Sequence, residues 1–200
     1  VKGIAEEERE RRKQESIKRR EAAKARQQEE KQQEKERHET AAQRAADIWP
    51  KLPTDGTSPY LARKKIHGYG CRFGKNQSIA IPLYKNGDFT GLQWIFADGG
   101  KQFLTGTEKL GASLTLEGSK AGVILCEGYA TGVSLWMATQ QTIIVCFDGG
   151  NLGTVATDMA SSGASFTIAA DNDHTEPDNT GLKVAHGILE SYPEKVRVTW

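Results

Sequence analysis

The sequence predicts an α/β fold: a mostly parallel sheet with helices on both faces. A small antiparallel β-rich α+β domain and a long charged helix precede it. Three observations carry this reading. From Ala121 onward, short apolar runs alternate with helix-like stretches, the pattern of βαβ units and a doubly covered parallel sheet. Between Pro53 and Gly118, strand-like runs are separated by tight-turn dipeptides rather than by helices. Ahead of both, large apolar residues are nearly absent.

Val1 to Asp47 is dominated by Glu, Lys, Arg, Gln and Ala, with no Pro and only Gly3 as glycine. These are strong helix formers, and opposite charges lie three or four apart, as with Glu6 and Glu10 beside Arg9, Arg12 and Lys13. Ile4 and Ile17 stand too far apart for a heptad seam. Residues 1–47 are therefore expected to be an exposed helical arm with no stripe to bury. A helix tracking nucleic acid or a partner domain is the alternative, weakened by acids that match the bases almost one for one.

Pro50 and Pro53 disfavour continuing the helix and set a boundary at Ile48-Trp49-Pro50. Residues 48–118 then form the β-rich domain. Ser78 to Tyr84 reads as a strand, Lys85-Asn86-Gly87-Asp88 as a hairpin turn, and Gly91 to Ala97 as the returning strand. Asp98-Gly99-Gly100 is a second turn and Lys101 to Leu104 a third strand. In residues 119–200, Val123–Cys126, Thr142–Phe147, Ser165–Ala170 and Val196–Thr199 read as strands. Ala130–Thr139, a segment near Leu152–Ser162 and Gly181–Leu189 read as the helices between them.

The formal charge of the 200 residues is +1, so the average marks no nucleic-acid binder although charge is locally segregated. No run of about 18 apolar residues is present, which argues against a membrane span, and no signal peptide opens the chain. It begins at Val1 rather than Met and ends at Trp200 straight after a strand-like run, as expected of a piece of a longer protein. The three cysteines, Cys71, Cys126 and Cys146, form no C-x-x-C pair, so neither a disulfide framework nor a zinc ribbon is expected. Cys126 and Cys146 sit in apolar runs as small core residues. A reducing, cytoplasmic setting fits.

In an open α/β sheet the site lies beyond the carboxyl ends of the strands. The first parallel strand ends in Glu127-Gly128, the second in Asp148-Gly149-Gly150, and the third in Asp171-Asn172-Asp173. Taken singly, an acid at a strand end is usually a turn or helix-cap residue. Together they would converge on one edge, where like charges repel unless a cation holds them. Hard oxygen ligands on short loops suit Mg²⁺, or Mn²⁺, which keeps several waters and bridges to substrate phosphates. Asp171 and Asp173, at i and i+2 on a turning loop, are placed to address one metal. Glu127 is placed to complete the coordination or to handle a proton.

Ile124-Leu125-Cys126-Glu127-Gly128-Tyr129 resembles the glutamate motif of TOPRIM domains, and Ile168-Ala169-Ala170-Asp171-Asn172-Asp173 resembles their Asp-x-Asp motif. Glu-Gly-Tyr-Ala-Thr, Phe147 to Leu152 and Ala170 to His174 together resemble the primase-like proteins of phages, plasmids and mobile elements. The resemblance extends over most of Trp49 to Trp200 and excludes the charged arm. It implies a TOPRIM fold for 119–200, Mg²⁺ or Mn²⁺ on Asp171 and Asp173, and a general acid or base at Glu127. One departure stands out. Replicative bacterial primases typically carry an Asp two residues after the motif's Tyr, where this sequence has Thr131; Asp148 is a candidate to restore negative field as a further metal ligand.

Arg63, Lys64, Lys65, His67 and Arg72, followed by Lys75, are interleaved with Tyr60, Tyr69 and Phe73. Phosphate contacts plus aromatic faces make a single-strand binding surface, although the aromatics serve equally well as core. His174 beside the acidic pair and Lys183 at the start of the last helix are candidates for phosphate or nucleotide contact. No phosphate loop of the Gly-x-x-x-x-Gly-Lys type appears, so ATP-driven helicase chemistry is not expected here.

The leading expectation is a nucleotidyltransferase making RNA primers from NTPs on single-stranded DNA. A replicative helicase or a fused helicase domain is its expected partner, and no membrane is involved. In such a reaction metal ions activate the attacking 3′-hydroxyl and stabilise the leaving pyrophosphate. A TOPRIM metal-dependent nuclease and a non-catalytic nucleic-acid-binding or replisome adaptor are the alternatives.

Overall fold

A computed structural model describes residues 2–171 and 180–200. The chain divides into two compact units, up to Glu39 and from Thr40 to Trp200. Helix α1 (Lys2–Ile48) supplies all of the first. Its exposed surface is laced by local pairs such as Arg11–Glu8 at 3.0 Å, Arg12–Glu8 at 3.1 Å and Lys35–Glu39 at 3.6 Å. Each contributes only about 0.3–0.5 kcal/mol, so this helix rests on propensity and charge spacing rather than on burial.

The second unit begins with the last turns of α1, and here the expectation of no buried stripe is corrected. Ala41 and Ala45 are fully buried, and Ala45 packs with Ala80 and Leu92 beside Ile48, Trp49, Leu52 and Trp94. Small side chains let the helix approach the sheet closely, which is why a search for large apolar residues overlooks this face.

The antiparallel sheet runs β1 (Arg72–Phe73), β2 (Ile79–Lys85), β3 (Asp88–Ile95) and β4 (Lys101–Phe103) in that order. Asn86 and Gly87 between β2 and β3 both have positive φ, 53° and 89°, the conformation that a two-residue type I′ hairpin turn requires. Strand β2 is buried on both faces. Ala80 meets the end of α1, while Ile79, Ile81 and Leu83 join the main core. A six-residue helix, α2 (Pro59–Lys64), was not read from the sequence; Pro59 starts it and Lys65, at φ 55°, ends it.

The second sheet holds β5 (Leu114–Leu116), β6 (Lys120–Cys126), β7 (Gln141–Val145), β8 (Phe166–Ala169) and β9 (Val196–Thr199) in the order β5-β7-β6-β8-β9. All neighbours are parallel except β5, which runs antiparallel to β7. The α/β expectation thus holds, with an antiparallel edge strand added from residues ahead of position 119. Alternation along β6 sends Ile124 and Cys126 to one face and Leu125 to the other, as the pleat requires. On the first face lie α3 (Tyr129–Thr139) and the core shared with the antiparallel sheet. On the second, α4 (Gly149–Ser161) and α5 (Thr180–Ser191) pack beside each other. No described helix is long and apolar enough to cross a membrane.

Candidate active site

Strand β6 lies between β7 and β8, so the chain leaves it toward one side and later returns on the other. Such a reversal opens a crevice at the carboxyl ends of the two diverging strands. Glu127 follows β6 directly, and Asp171 stands two residues beyond the end of β8. The two acids therefore flank the switch point.

Glu127 is half-buried against two helix starts. A Cβ on Gly149, at the head of α4, would stand 3.3 Å from a Glu127 carboxylate oxygen, and one on Gly181, in the first turn of α5, would overlap it. The same added atom on Gly181 would lie 3.3 Å from the Asp171 carbonyl. Glycine at 181 thus leaves room for the carboxylate where it stands, and glycine at 149 keeps the second helix start clear of it. Helix N-termini carry partial positive charge, which favours an ionised acid there.

Electrostatics agree with this placement. Burial pushes the Cys126 thiol up, and the negative charges of Asp171 and Glu127 push it further. Cys146 is likewise raised, first by burial and then by Cys126, Glu127 and Asp148. All three cysteines are buried and free, as the sequence led one to expect for Cys126 and Cys146.

Asp148 follows a different course. It caps α4, with Oδ1 accepting from the Asn151 N–H at 2.9 Å, and Oδ2 stands 2.6 Å from Lys109 Nζ. Burial raises its carboxyl, but Lys109 and the N–H groups of Asn151 and Gly150 outweigh that and hold it below the ordinary value. Just before it, Phe147 adopts φ 74° and packs edge-on against Phe103 at 6.0 Å. Asn151 is 1% exposed: Oδ1 accepts from the Gly111 N–H at 2.6 Å, and Nδ2 donates to the Ala112 and Cys146 carbonyls, each at 2.7 Å.

In front of the switch point a cleft of about 490 Å³ is lined by Tyr60, Arg63, Lys64, Asp98, Gly99 and Lys101 on one side, and by Gly128, Ala130, Thr131 and Asp171 on the other. Of the predicted basic residues, Arg63 and Lys64 line it; Arg63 also donates to the Ala97 carbonyl at 2.7 Å. Lys65 and Lys75 are exposed and do not line it. Arg72 is directed elsewhere. Its guanidinium donates to the Trp49 and Leu52 carbonyls at 2.8 and 3.3 Å and lies 4.8 Å from the Trp49 ring centroid, tying the end of α1 to the antiparallel sheet.

The interleaved aromatics separate too. Tyr60 is core, its hydroxyl pKa raised by burial against the lowering influence of the Ala130 N–H and Arg63. Phe73 packs on the same core, while Tyr69 stays exposed. Lys183 is an exposed residue of α5. Asp173 and His174 lie outside the described residues. Among the described residues, no three or more His, Cys, Asp and Glu side chains gather as a metal-binding group. The sequence reading missed Asp98, Asn151 and the two glycines. An Asp directly before a Gly-Gly-Asn helix start was the available signal for the cap.

Residues 122–194 match the family described as Toprim domain. The chain is also similar to two proteins of Escherichia coli named DNA primase TraC. One is 32% identical over 132 residues, covering 60% of this chain. The other is 28% identical over 171 residues, covering 76% of it. In both cases the match spans 12% of the relative's length. No solved structure is a significant match.

Proposed function

We propose that this chain, a Toprim-domain protein similar to DNA primases, is part of a nucleotidyltransferase that makes RNA primers on single-stranded DNA. The observation that carries the reading is the cleft. Asp171, at the switch point of the sheet, lines it together with three cations, Arg63, Lys64 and Lys101, from the neighbouring antiparallel subdomain. In primer synthesis a nucleotide 3′-hydroxyl attacks the α-phosphorus of a triphosphate and pyrophosphate leaves, which needs carboxylates for cations and protons as well as fixed positive charge for phosphates.

The residues present fit a hard divalent cation. The donors at the switch point are carboxylates, and the nearby thiols of Cys126 and Cys146 are kept protonated by burial, so they offer no soft ligand. Asp171 and Asp173 would hold Mg²⁺ or Mn²⁺, with Glu127 beside them. When bound, the ion supplies positive charge to the triphosphate oxygens and acidifies the attacking 3′-hydroxyl. Glu127 accepts the hydroxyl proton or completes the ligand set. The Thr131 hydroxyl, on the wall of the cleft, offers a hydrogen bond without charge.

Lys64 and Lys101 bind phosphate, and Lys65 and Lys75 extend positive charge along the template. His174 and Lys183 complete the nucleotide contacts. Lys109 partly offsets the negative field that Asp148 adds to the site. A replicative helicase, separate or fused, supplies single-stranded template.

The test is one gel. A labelled single-stranded oligonucleotide is incubated with Mg²⁺ or Mn²⁺, with and without NTPs, beside an Asp171→Asn/Asp173→Asn variant. NTP-dependent products lost in the variant are expected. Metal-dependent shortening without NTPs would overturn the reading in favour of a nuclease. Oligonucleotide binding without any product from the protein, carried within its full-length chain, would favour an adaptor.

A further inference from the structure

A surface beside the cleft has properties that primer chemistry leaves unused. Tyr69 is 39% exposed, yet the chain that carries it is fixed at several points. Its carbonyl accepts the buried Tyr129 hydroxyl at 2.7 Å, and its N–H donates to the His67 carbonyl at 3.0 Å. The Tyr69 ring packs against Trp136 at a tilt of 48°, with centroids 4.3 Å apart, and meets the His67 ring edge-on at 6.0 Å. The indole is fixed in turn, because Trp136 Nε1 donates to the Glu117 carbonyl at 2.7 Å. Tyr129 and Trp136, seven residues apart on α3, share one helix face, and the 67–71 segment runs over it.

Tyr69 thus keeps an exposed ring on a fixed stretch of backbone, against a second ring that is itself fixed. Tyr60 and Phe73, the neighbouring aromatics, do turn inward. Exposed Lys64 and Lys65 precede the stack by four or five residues, and Lys120 follows Glu117 on the other side. The contact of Glu117 to the indole is made by its backbone and not by its carboxylate. Thr131, on the cleft wall, precedes Trp136 by five residues on the same helix, α3.

We infer that His67, Tyr69 and Trp136 form a stacking platform for the bases of single-stranded nucleic acid entering or leaving the cleft, with Lys64 and Lys65 on its phosphates. Flat rings accept any base, and each stacked base is worth enough to change affinity severalfold to about a hundredfold. Cations alone would give a surface that reads only phosphate. The inference rests on the reading of the chain as a single-strand-directed enzyme, but it concerns binding and not chemistry.

The experiment measures binding of a fluorescent oligothymidylate by anisotropy, in EDTA and without NTPs, so that catalysis plays no part. Tyr69→Ala is expected to weaken binding about tenfold, Tyr69→Phe to keep it within about twofold, and Tyr84→Ala, an exposed aromatic on the other sheet, to leave it unchanged. Thermal melts confirm that each variant is folded. An abasic oligonucleotide of equal length is expected to bind wild type about tenfold more weakly. Oligothymidylate should quench tryptophan emission in wild type and not in Trp136→Phe. Equal affinity for the abasic and normal strands, or unchanged emission at saturation, overturns the platform even if the unfixed Tyr69→Ala variant fails to fold. Primer synthesis that survives Tyr69→Ala with unchanged affinity for DNA would also sink it. Quenching at Trp136 with no primers made even by the full-length chain would keep the platform and overturn the enzyme reading.

Discussion

Glu127 and Asp148 stand at adjacent exits of one parallel sheet, and their surroundings assign them opposite work. Asp148, beyond β7, has both oxygens engaged by the protein, one in capping α4 and the other against Lys109. Glu127, beyond β6, lies at the topological switch point, in a space kept by Gly149 and Gly181. The first carboxylate is neutralised within the fold and stabilises a loop and a helix start. The second gathers with Asp171 where the sheet opens a crevice. A carboxylate at a strand end thus takes its role from what the neighbouring strands and loops bring to it. Position along the strand does not decide it.

The largest expected effect comes from closing the space around Glu127. In Gly181→Ala the new methyl overlaps the Glu127 carboxylate and crowds the Asp171 carbonyl, so the Glu127 side chain must move. Displacement of a catalytic group by about 1 Å can cost about 100-fold in rate, and a loss of that order in NTP-dependent product is expected. Alanine favours a helix over glycine by about 1 kcal/mol, so the melting temperature should hold or fall only slightly. Gly187→Ala, on the same helix with open space around it, is the matched control and should be neutral or slightly stabilising. Full activity in Gly181→Ala would separate Glu127 from the chemistry.

On the Asp148 side the expected effect is on stability. Asn151→Ala strands the Gly111 N–H and the Ala112 and Cys146 carbonyls. Unpaired buried groups cost about 1–3 kcal/mol each, so a total near 3 kcal/mol is expected, a fall of roughly 6–12 °C for a chain of this size. Asn151→Asp can still accept from Gly111 but offers no amide hydrogens to the two carbonyls. It should therefore be destabilised as well, which a loss of side-chain volume would not explain. Thermal denaturation followed by circular dichroism checks both.

These two acids also mark how far the sequence could be read. Strand periodicity located the four parallel strands, and Val196–Thr199 matches β9 to the residue. The runs of β6 and β8 end in buried apolar residues directly ahead of the acidic loops, so local pattern and tertiary role coincide there. Strand β5 escaped because its three residues pair antiparallel with β7, some thirty positions away, and no local signal encodes that partner. Helix α2 is too short to display a period, and Ala41 and Ala45 were hidden because small side chains do not register as a stripe. At the site, the acids were visible as residue types at strand ends, whereas the partners that sort them were not. Lys109, Gly181 and Asn151 lie 18 to 54 positions from Glu127 or 3 to 39 from Asp148 in the chain, and only folding brings them together. Arg72 taught the same lesson in reverse: a cation within a basic run turned inward to two carbonyls and an indole.

The smallest effect sharpens the contrast most directly, because it concerns the charge of Asp148 itself. Asparagine caps a helix about as well as aspartate does, so Asp148→Asn keeps the cap and removes the ion pair, whereas Asp148→Ala removes both. The pair's side chains are 39% and 42% exposed, and solvent screening keeps such pairs to about 0–1 kcal/mol. Asp148→Asn should therefore cost less than about 1 kcal/mol and Asp148→Ala about 1 kcal/mol more. The folded carboxyl lies below its unfolded value of 3.8. Its contribution is then present above that pH and is lost as pH falls through the folded value. Chemical denaturation at pH 7 should distinguish wild type from Asp148→Asn, and the difference should shrink below about pH 4. A double-mutant cycle with Lys109→Met isolates the coupling. Mn²⁺ affinity, measured by calorimetry, supplies the decisive comparison: Glu127→Gln should weaken it and Asp148→Asn should not. Equal weakening by both would place Asp148 among the ligands, with Lys109 as the cation that the metal displaces.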